Sequence, residues 1–192
     1  MRRAIFPSFL LCAALAGSLW LNAKAQAPEK KPLRQPDIYF VPTPPEVVRA
    51  MLKMAGVKKG DVVYDLGCGD GRIVIAAAQE FGVRGVGIDI DPQRITEAEE
   101  NARKAGVEKL VKFRNEDLFE ADFKEATVVT LYLLERLNEK LKPKLLADLK
   151  PGTRIVSHAF GMGDWPPEKS EDVDGRMVYM WTVPAKNGPA KK

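Results

Sequence analysis

Histidine and cysteine are almost missing from these 192 residues: His158 is the single histidine, and the two cysteines are Cys12 and Cys68. One histidine cannot form a histidine cluster, and one cysteine beyond residue 25 cannot build a cysteine-rich zinc site or an internal disulfide there. No carboxylates stand at a metal-ligand spacing, so no metal is expected. An excess of one charge is missing too. The formal net charge is +4, but Arg2, Arg3 and Lys24 lie in a first segment of 25 residues without an acid. Setting those three aside leaves 27 basic against 26 acidic side chains. A duplex-binding surface needs a marked basic excess to displace counterions from phosphates, so nucleic acid is not expected as a partner. Repeats and low-complexity tracts are absent, and 45% hydrophobic with 29% charged residues is ordinary for a globular chain.

Long hydrophobic runs are absent as well, apart from the uncharged stretch Ala4 to Ala23 that follows Arg2 and Arg3. Ala23-Lys24-Ala25 is a small-x-small site suited to signal peptidase, and the stretch is also about long enough to span a bilayer uncleaved. Residues 1–25 are therefore expected to be a signal peptide or a membrane anchor that engages the export machinery or the membrane. The rest of the chain would then be exported to the periplasm or held at the membrane surface. Residues 26–38, with Pro28, Pro32 and Pro36, read as an extended linker, residues 39–184 as one monomeric domain, and residues 185–192 as a flexible tail.

Within that domain, strand and helix patterns alternate. Thr43-Pro44-Pro45-Glu46 offers an N-cap, a proline at the first helical position and a capping-box acid, followed by Val48, Met51, Leu52 and Ala55 at helical spacing. Val62 to Leu66 reads as a strand, Ile73 to Phe81 as a helix and Val83 to Ile88 as a second strand. Asp91-Pro92 then caps a helix whose inner face is Ile95, Ala98, Ala102 and Ala105. Val111 to Arg114, Val128 to Leu131 and Arg154 to Ser157 supply three more strands, and Leu133 to Leu149 is helical material broken near Pro143. This rhythm predicts an α/β fold, a parallel sheet with helices on both faces. Asp174-Gly175, between Glu168 to Val173 and Met177 to Val183, predicts an antiparallel hairpin at its C-terminal edge.

The chemistry concentrates in Asp65-Leu66-Gly67-Cys68-Gly69-Asp70-Gly71, where the first strand turns into its crossover helix. Glycines there let the backbone approach a ligand, and the helix N-terminus presents free N–H groups. A loop for pyrophosphate avoids negative charge, whereas this one carries Asp65 and Asp70, which suit a cationic ligand such as S-adenosylmethionine. Asp89, 24 residues after Asp65 at the end of the second strand, can accept from both hydroxyls of a ribose. After the third strand, Asp117, or alternatively Glu116, can accept from an adenine amino group. At the end of the fourth strand, Thr130 and Tyr132 occupy the position that faces a transferable methyl in such sheets.

Together the D-L-G-C-G-D-G loop, the G-I-D-I-D-P strand end and the E-D-L segment resemble the class I S-adenosylmethionine-dependent methyltransferases. More narrowly, Phe40-Val41-Pro42-Thr43-Pro44, Asp70-Gly71-Arg72-Ile73-Val74, Thr130 to Leu134 and Pro151 to Ser157 with Trp165 resemble small bacterial relatives of two mitochondrial lysine methyltransferases. Those two enzymes act on the ATP synthase c-subunit and the adenine nucleotide carrier. The resemblance implies a seven-stranded Rossmann-like sheet. It also implies cofactor contacts at Asp65, Gly67, Cys68, Gly69, Asp89, Ile90, Asp117 and Leu118, with Thr43 closing over the cofactor. The chain departs from the eukaryotic members at Asp89, where glutamate is usual, and at His158, whose role the resemblance leaves open.

The expected reaction is methyl transfer from S-adenosylmethionine to a protein lysine, in a substrate associated with a membrane, with Tyr132 or a backbone carbonyl near Thr130 orienting the amine. No Asn-Pro-Pro-Tyr tetrapeptide follows the fourth strand, which argues against methylation of adenine or of glutamine amides. A small-molecule acceptor would need a lid, for which the chain offers the N-terminal helix and the loop Gly161 to Trp165. A non-catalytic cofactor-binding module on the same fold, and a dinucleotide oxidoreductase disfavoured by the loop acids, are the other readings.

Overall fold

The structure, a computed structural model, describes residues 33–185. The expected export or anchor segment, most of the expected linker and all but the first residue of the expected tail lie outside the described residues. Eleven elements follow in order: α1 (Pro45–Met54), β1 (Val62–Leu66), α2 (Arg72–Phe81), β2 (Arg84–Asp89), α3 (Pro92–Lys104), β3 (Val111–Asn115), β4 (Val128–Leu131), α4 (Glu135–Asp148), β5 (Arg154–His158), β6 (Lys169–Val173) and β7 (Arg176–Thr182). They form a seven-stranded sheet in the order β3-β2-β1-β4-β5-β7-β6. The five strands from β3 to β5 are parallel, while β7 runs antiparallel to β5 and to β6. The order reverses between β1 and β4, which opens a crevice at the carboxyl ends of those strands.

Alternate residues of each central strand feed two cores, because successive side chains point to opposite faces. Val63, Val128 and Val156 pack with α1 and α2 through Met51, Leu52, Val74 and Ala78. Tyr64, Leu66, Ile88, Val129, Leu131 and Ile155 pack on the other face with Leu137, Leu141 and Leu145 of α4, and with Phe123 and Trp181. Among the described residues no helix is long and apolar enough to cross a membrane.

Two local expectations are corrected. The cap of α1 is Pro44, with no side-chain cap bond, rather than Thr43. Residues preceding a proline are pushed out of the α region, so Pro44, ahead of Pro45, sits at φ −60° and ψ 149° and only Pro45 begins the helix. The helix α4 also runs unbroken through Pro143. Pro143 lies on the exposed side, where the Glu139 carbonyl it leaves unpaired can face water, while Leu137, Leu141 and Leu145 hold the buried side to the sheet.

Candidate active site

The crevice is a cavity of about 960 Å³, a size that suits a nucleoside-containing ligand. Its wall contains Thr43, Asp65, Gly67, Cys68, Asp89, Ile90, Asp117, Leu118 and Tyr132. Gly69 and Thr130, also expected at the site, stand just behind that wall.

The loop after β1 is shaped by backbone bonds: Gly67 and Cys68 both donate to the Ile88 carbonyl, at 2.8 and 3.0 Å. Gly67 takes φ +86° and Gly69 φ +52°, left-handed conformations that other residues rarely adopt. A Cβ on Gly67 would come within 2.9 Å of the Leu133 side chain, and one on Gly69 would overlap the Phe40 ring. Both positions are thereby kept without side chains, by the packing of Leu133 and Phe40 against the turn. Burial pushes the Cys68 thiol well above its ordinary range, with Asp65 and Asp89 adding to the shift, so it forms a neutral wall.

Each carboxylate sits in a different environment. Asp65 is buried on β1, accepts the Thr130 hydroxyl at 2.7 Å, and forms no ion pair among the described residues. Burial drives its pKa up to about 7; the Thr130 bond opposes the shift, and the negative charges of Asp89 and Asp70 add to it. Thr130 itself is fully buried and serves Asp65 rather than facing the cavity. Asp89 accepts the Gly69 N–H at 2.8 Å and the Asp91 N–H at 2.9 Å, and burial raises its pKa against those bonds. Asp70 does not act as a free attractor of cations, because Arg72 chelates it at 2.9 and 2.6 Å. The same guanidinium donates to the Thr43 carbonyl at 2.9 Å. Glu116 turns to Arg114, which leaves Asp117 as the acid on the cavity.

Sequence reasoning missed the segment from Arg34 to Val41, most of it assigned to the linker, which lines the cavity along its length. Arg34 donates from Nε to Asp117 Oδ2 at 2.5 Å and from Nη2 to Asp117 Oδ1 at 3.2 Å, and its guanidinium lies 5.4 Å from the Phe119 ring centre. Burial works to raise the pKa of Asp117, but Arg34 and the Phe119 N–H hold it below the ordinary range. The apolar run Tyr39-Phe40-Val41, at the junction of the expected linker with the expected domain and costly to leave in solvent, was the signal available in the sequence. The loop Gly161 to Trp165, by contrast, is pinned to the sheet, since the Trp181 indole N–H donates to the Trp165 carbonyl at 2.8 Å. The Arg34 side chain is 36% exposed, so solvent screens the pair to about 1 kcal/mol, and Arg34→Ala is expected to speed dissociation of S-adenosylhomocysteine about fivefold. Stopped-flow displacement measures this, and an unchanged off-rate would mean that the segment does not hold the bound ligand.

At the other end of the cavity, Tyr132 after β4 and Phe160 after β5 stack with ring centres 6.2 Å apart and planes at 25°. Three arginines line the cavity, and each is paired: Arg34 with Asp117, Arg72 with Asp70, and Arg94 with Glu97 at 2.6 Å. The cavity thus offers buried carboxylate and aromatic surface but no unpaired cation among the described residues.

Known proteins share this architecture. A family model for the ANTKMT methyltransferase domain matches residues 65–169, and one for DNA methylases matches residues 14–100. A protein-lysine N-methyltransferase of Saccharolobus islandicus (strain REY15A) is 50% identical over 153 residues, 77% of this chain and 95% of that protein. A lysine N-methyltransferase of Mus musculus that acts on the ATP synthase c-subunit is 30% identical over 181 residues, 94% of this chain and 72% of that protein. Among solved structures, an RNA methyltransferase from Salinibacter ruber in complex with S-adenosyl-L-homocysteine is 56% identical, with a TM-score of 0.76 over 78% of this chain and 97% of that one.

Proposed function

The chain belongs to the ANTKMT methyltransferase family of S-adenosylmethionine-dependent enzymes, and from that premise we propose that its methyl acceptor is the side-chain amine of a protein lysine. One observation supports this acceptor over a nucleic acid: the cavity's three arginines are all paired with carboxylates, so among the described residues none of them is free to meet a phosphate. The aromatic pair Tyr132 and Phe160 suits an alkylammonium instead. The names of the Saccharolobus islandicus and Mus musculus relatives point the same way, and that of the Salinibacter ruber protein supplies the competing reading.

The residues fit S-adenosylmethionine. A buried carboxylate without a cation, Asp65, suits the ammonium group, Asp89 the ribose hydroxyls and Asp117 the adenine amino group, with Ile90 and Leu118 as apolar flanks. Bound there, S-adenosylmethionine supplies a methyl activated by its sulfonium. The lysine ammonium would first lose its proton to solvent, and the neutral amine would then form the N–C bond as the C–S bond breaks with its electron pair going to sulfur, leaving the methylated ammonium as product. Little acid–base machinery is needed, so the work of the chain is alignment and the exclusion of water. Segment 34–41 and Tyr132 both line the cavity, where the first would exclude water and the second would meet the acceptor.

Incubating the purified protein with labelled S-adenosylmethionine and a membrane extract is expected to label a discrete protein band whose modified residue is lysine by mass spectrometry. Label confined to RNA, lipid or small-metabolite fractions would defeat the lysine reading.

A further inference from the structure

His158 closes β5 and is 2% exposed, yet it lies against two residues of the cavity wall without lining the cavity itself. Its ring centre is 3.9 Å from that of Tyr132, with planes at 30°, and its Nδ1 shares a hydrogen bond of 3.3 Å with the Thr43 hydroxyl. Tyr132 follows β4 and Thr43 precedes α1, so one buried imidazole joins three distant parts of the chain.

The turn after His158 bears a second mark of constraint. Ala159 takes φ +65°, a left-handed conformation that costs a non-glycine residue free energy and persists only where its surroundings over-determine it. Backbone bonds hold it there, from the Ala159 N–H to the Met177 carbonyl at 2.7 Å and from the Phe160 N–H to the His158 carbonyl at 2.8 Å. The fully buried Asn138 amide donates to the Gly161 carbonyl at 3.0 Å, while its own Oδ1 finds no partner among the described residues. This strained, over-tied turn brings Phe160 back beside Tyr132.

Both ends of the ligand cavity are thereby distinguished. Asp65, Asp89 and Asp117 form the end that suits the cofactor, and Tyr132 with Phe160 forms the end left for the acceptor. We propose that His158 is the positioning residue of the acceptor end: by stacking on Tyr132 and bonding Thr43, it fixes the two walls between which the lysine amine must align with the transferable methyl. This rests on the lysine reading above. Burial, aided by the Arg176 charge, lowers the imidazole's pKa below its ordinary value and so favours the neutral ring. A neutral ring leaves the Tyr132 face attractive to an approaching alkylammonium, where an imidazolium would compete for it.

The test compares methylation of the labelled band by the full chain and by His158→Ala, together with the affinity of each for S-adenosylhomocysteine by calorimetry. Misplacing a reacting group by about 1 Å costs on the order of hundredfold, so kcat is expected to fall by about that factor in His158→Ala. The cofactor KM and the affinity for S-adenosylhomocysteine should stay within about twofold, since the carboxylates that suit the cofactor are untouched and Arg72 still holds the Thr43 backbone through its carbonyl. His158→Phe keeps the stacked ring and is expected to recover about tenfold of the lost kcat, while Thr43→Val, which cuts the hydrogen bond and leaves the ring, should lower kcat by about tenfold. Undiminished kcat in His158→Ala overturns the proposal, as does a loss of cofactor affinity equal to the loss of turnover. Should His158→Ala fail to fold, His158→Phe and Thr43→Val decide by the same criteria, with native kcat in both overturning the proposal. Failure of the lysine reading would appear earlier and separately, as the absence of methyl-lysine with the unaltered chain.

Discussion

Replacing Asp89 by alanine is expected to weaken binding of S-adenosylhomocysteine by at least about a hundredfold. Two charge-assisted hydrogen bonds to ribose hydroxyls, at about 1.5–3 kcal/mol each, would be lost together. At about 1.4 kcal/mol per factor of ten, that loss corresponds to about two to four decades of affinity. The structure adds a second route to the same loss. Asp89 also accepts the Gly69 and Asp91 N–H groups, so the alanine variant leaves two loop amides without their acceptor and loosens the glycine turn against which the ligand would lie. Asp89→Glu keeps the carboxylate and has one extra methylene to accommodate, so its loss should stay within about tenfold. Calorimetry on both variants is the measurement. A dissociation constant within about tenfold of the native value in Asp89→Ala would sink the ribose assignment.

How much of this is legible in the sequence depends on whether the cause is local. The bounds of β1 follow from an apolar run closed by Gly60-Asp61 and Gly67, and the structure places the strand over the same five residues. The loop glycines and Asp89 are visible because strand ends and positive-φ turns have local signatures. Thr43 misleads by one position because two adjacent prolines override the preference of threonine for the cap. Pro143 misleads because a helix-breaking residue on a solvated side is outweighed by three leucines on the buried one. The Arg34–Asp117 pair spans 83 residues, and no local pattern announces it. Charge counting also treats Asp65 and Asp70 alike. Their difference lies in who stands next to them, since Arg72 chelates one and, among the described residues, only the Thr130 hydroxyl bonds the side chain of the other.

That difference sets the pH dependence of the site. With its pKa pushed up to about 7 by burial, Asp65 is only half ionised at neutral pH in the free protein. An ammonium group can pair only with the carboxylate, so binding favours ionisation and releases a proton. Lowering the pH from 7 to 6 cuts the ionised fraction from about one half to about one tenth, so affinity for S-adenosylhomocysteine should fall about fivefold. For folding the sign is opposite. A carboxyl whose folded pKa exceeds its ordinary value of 3.8 contributes stability at low pH, and that contribution is lost as the pH rises through 7. Ligand binding offsets the loss, so the rise in melting temperature produced by S-adenosylhomocysteine should be larger at pH 8 than at pH 6. Asp65→Asn keeps the shape and the Thr130 contact but has no charge to offer. Leaving a buried ammonium unpaired costs about 2–5 kcal/mol, which corresponds to a loss of about thirtyfold or more in affinity. The variant should also flatten the decline between pH 7 and pH 6. Binding by Asp65→Asn that remains tight and still falls about fivefold over that interval would show that another group carries the charge recognition.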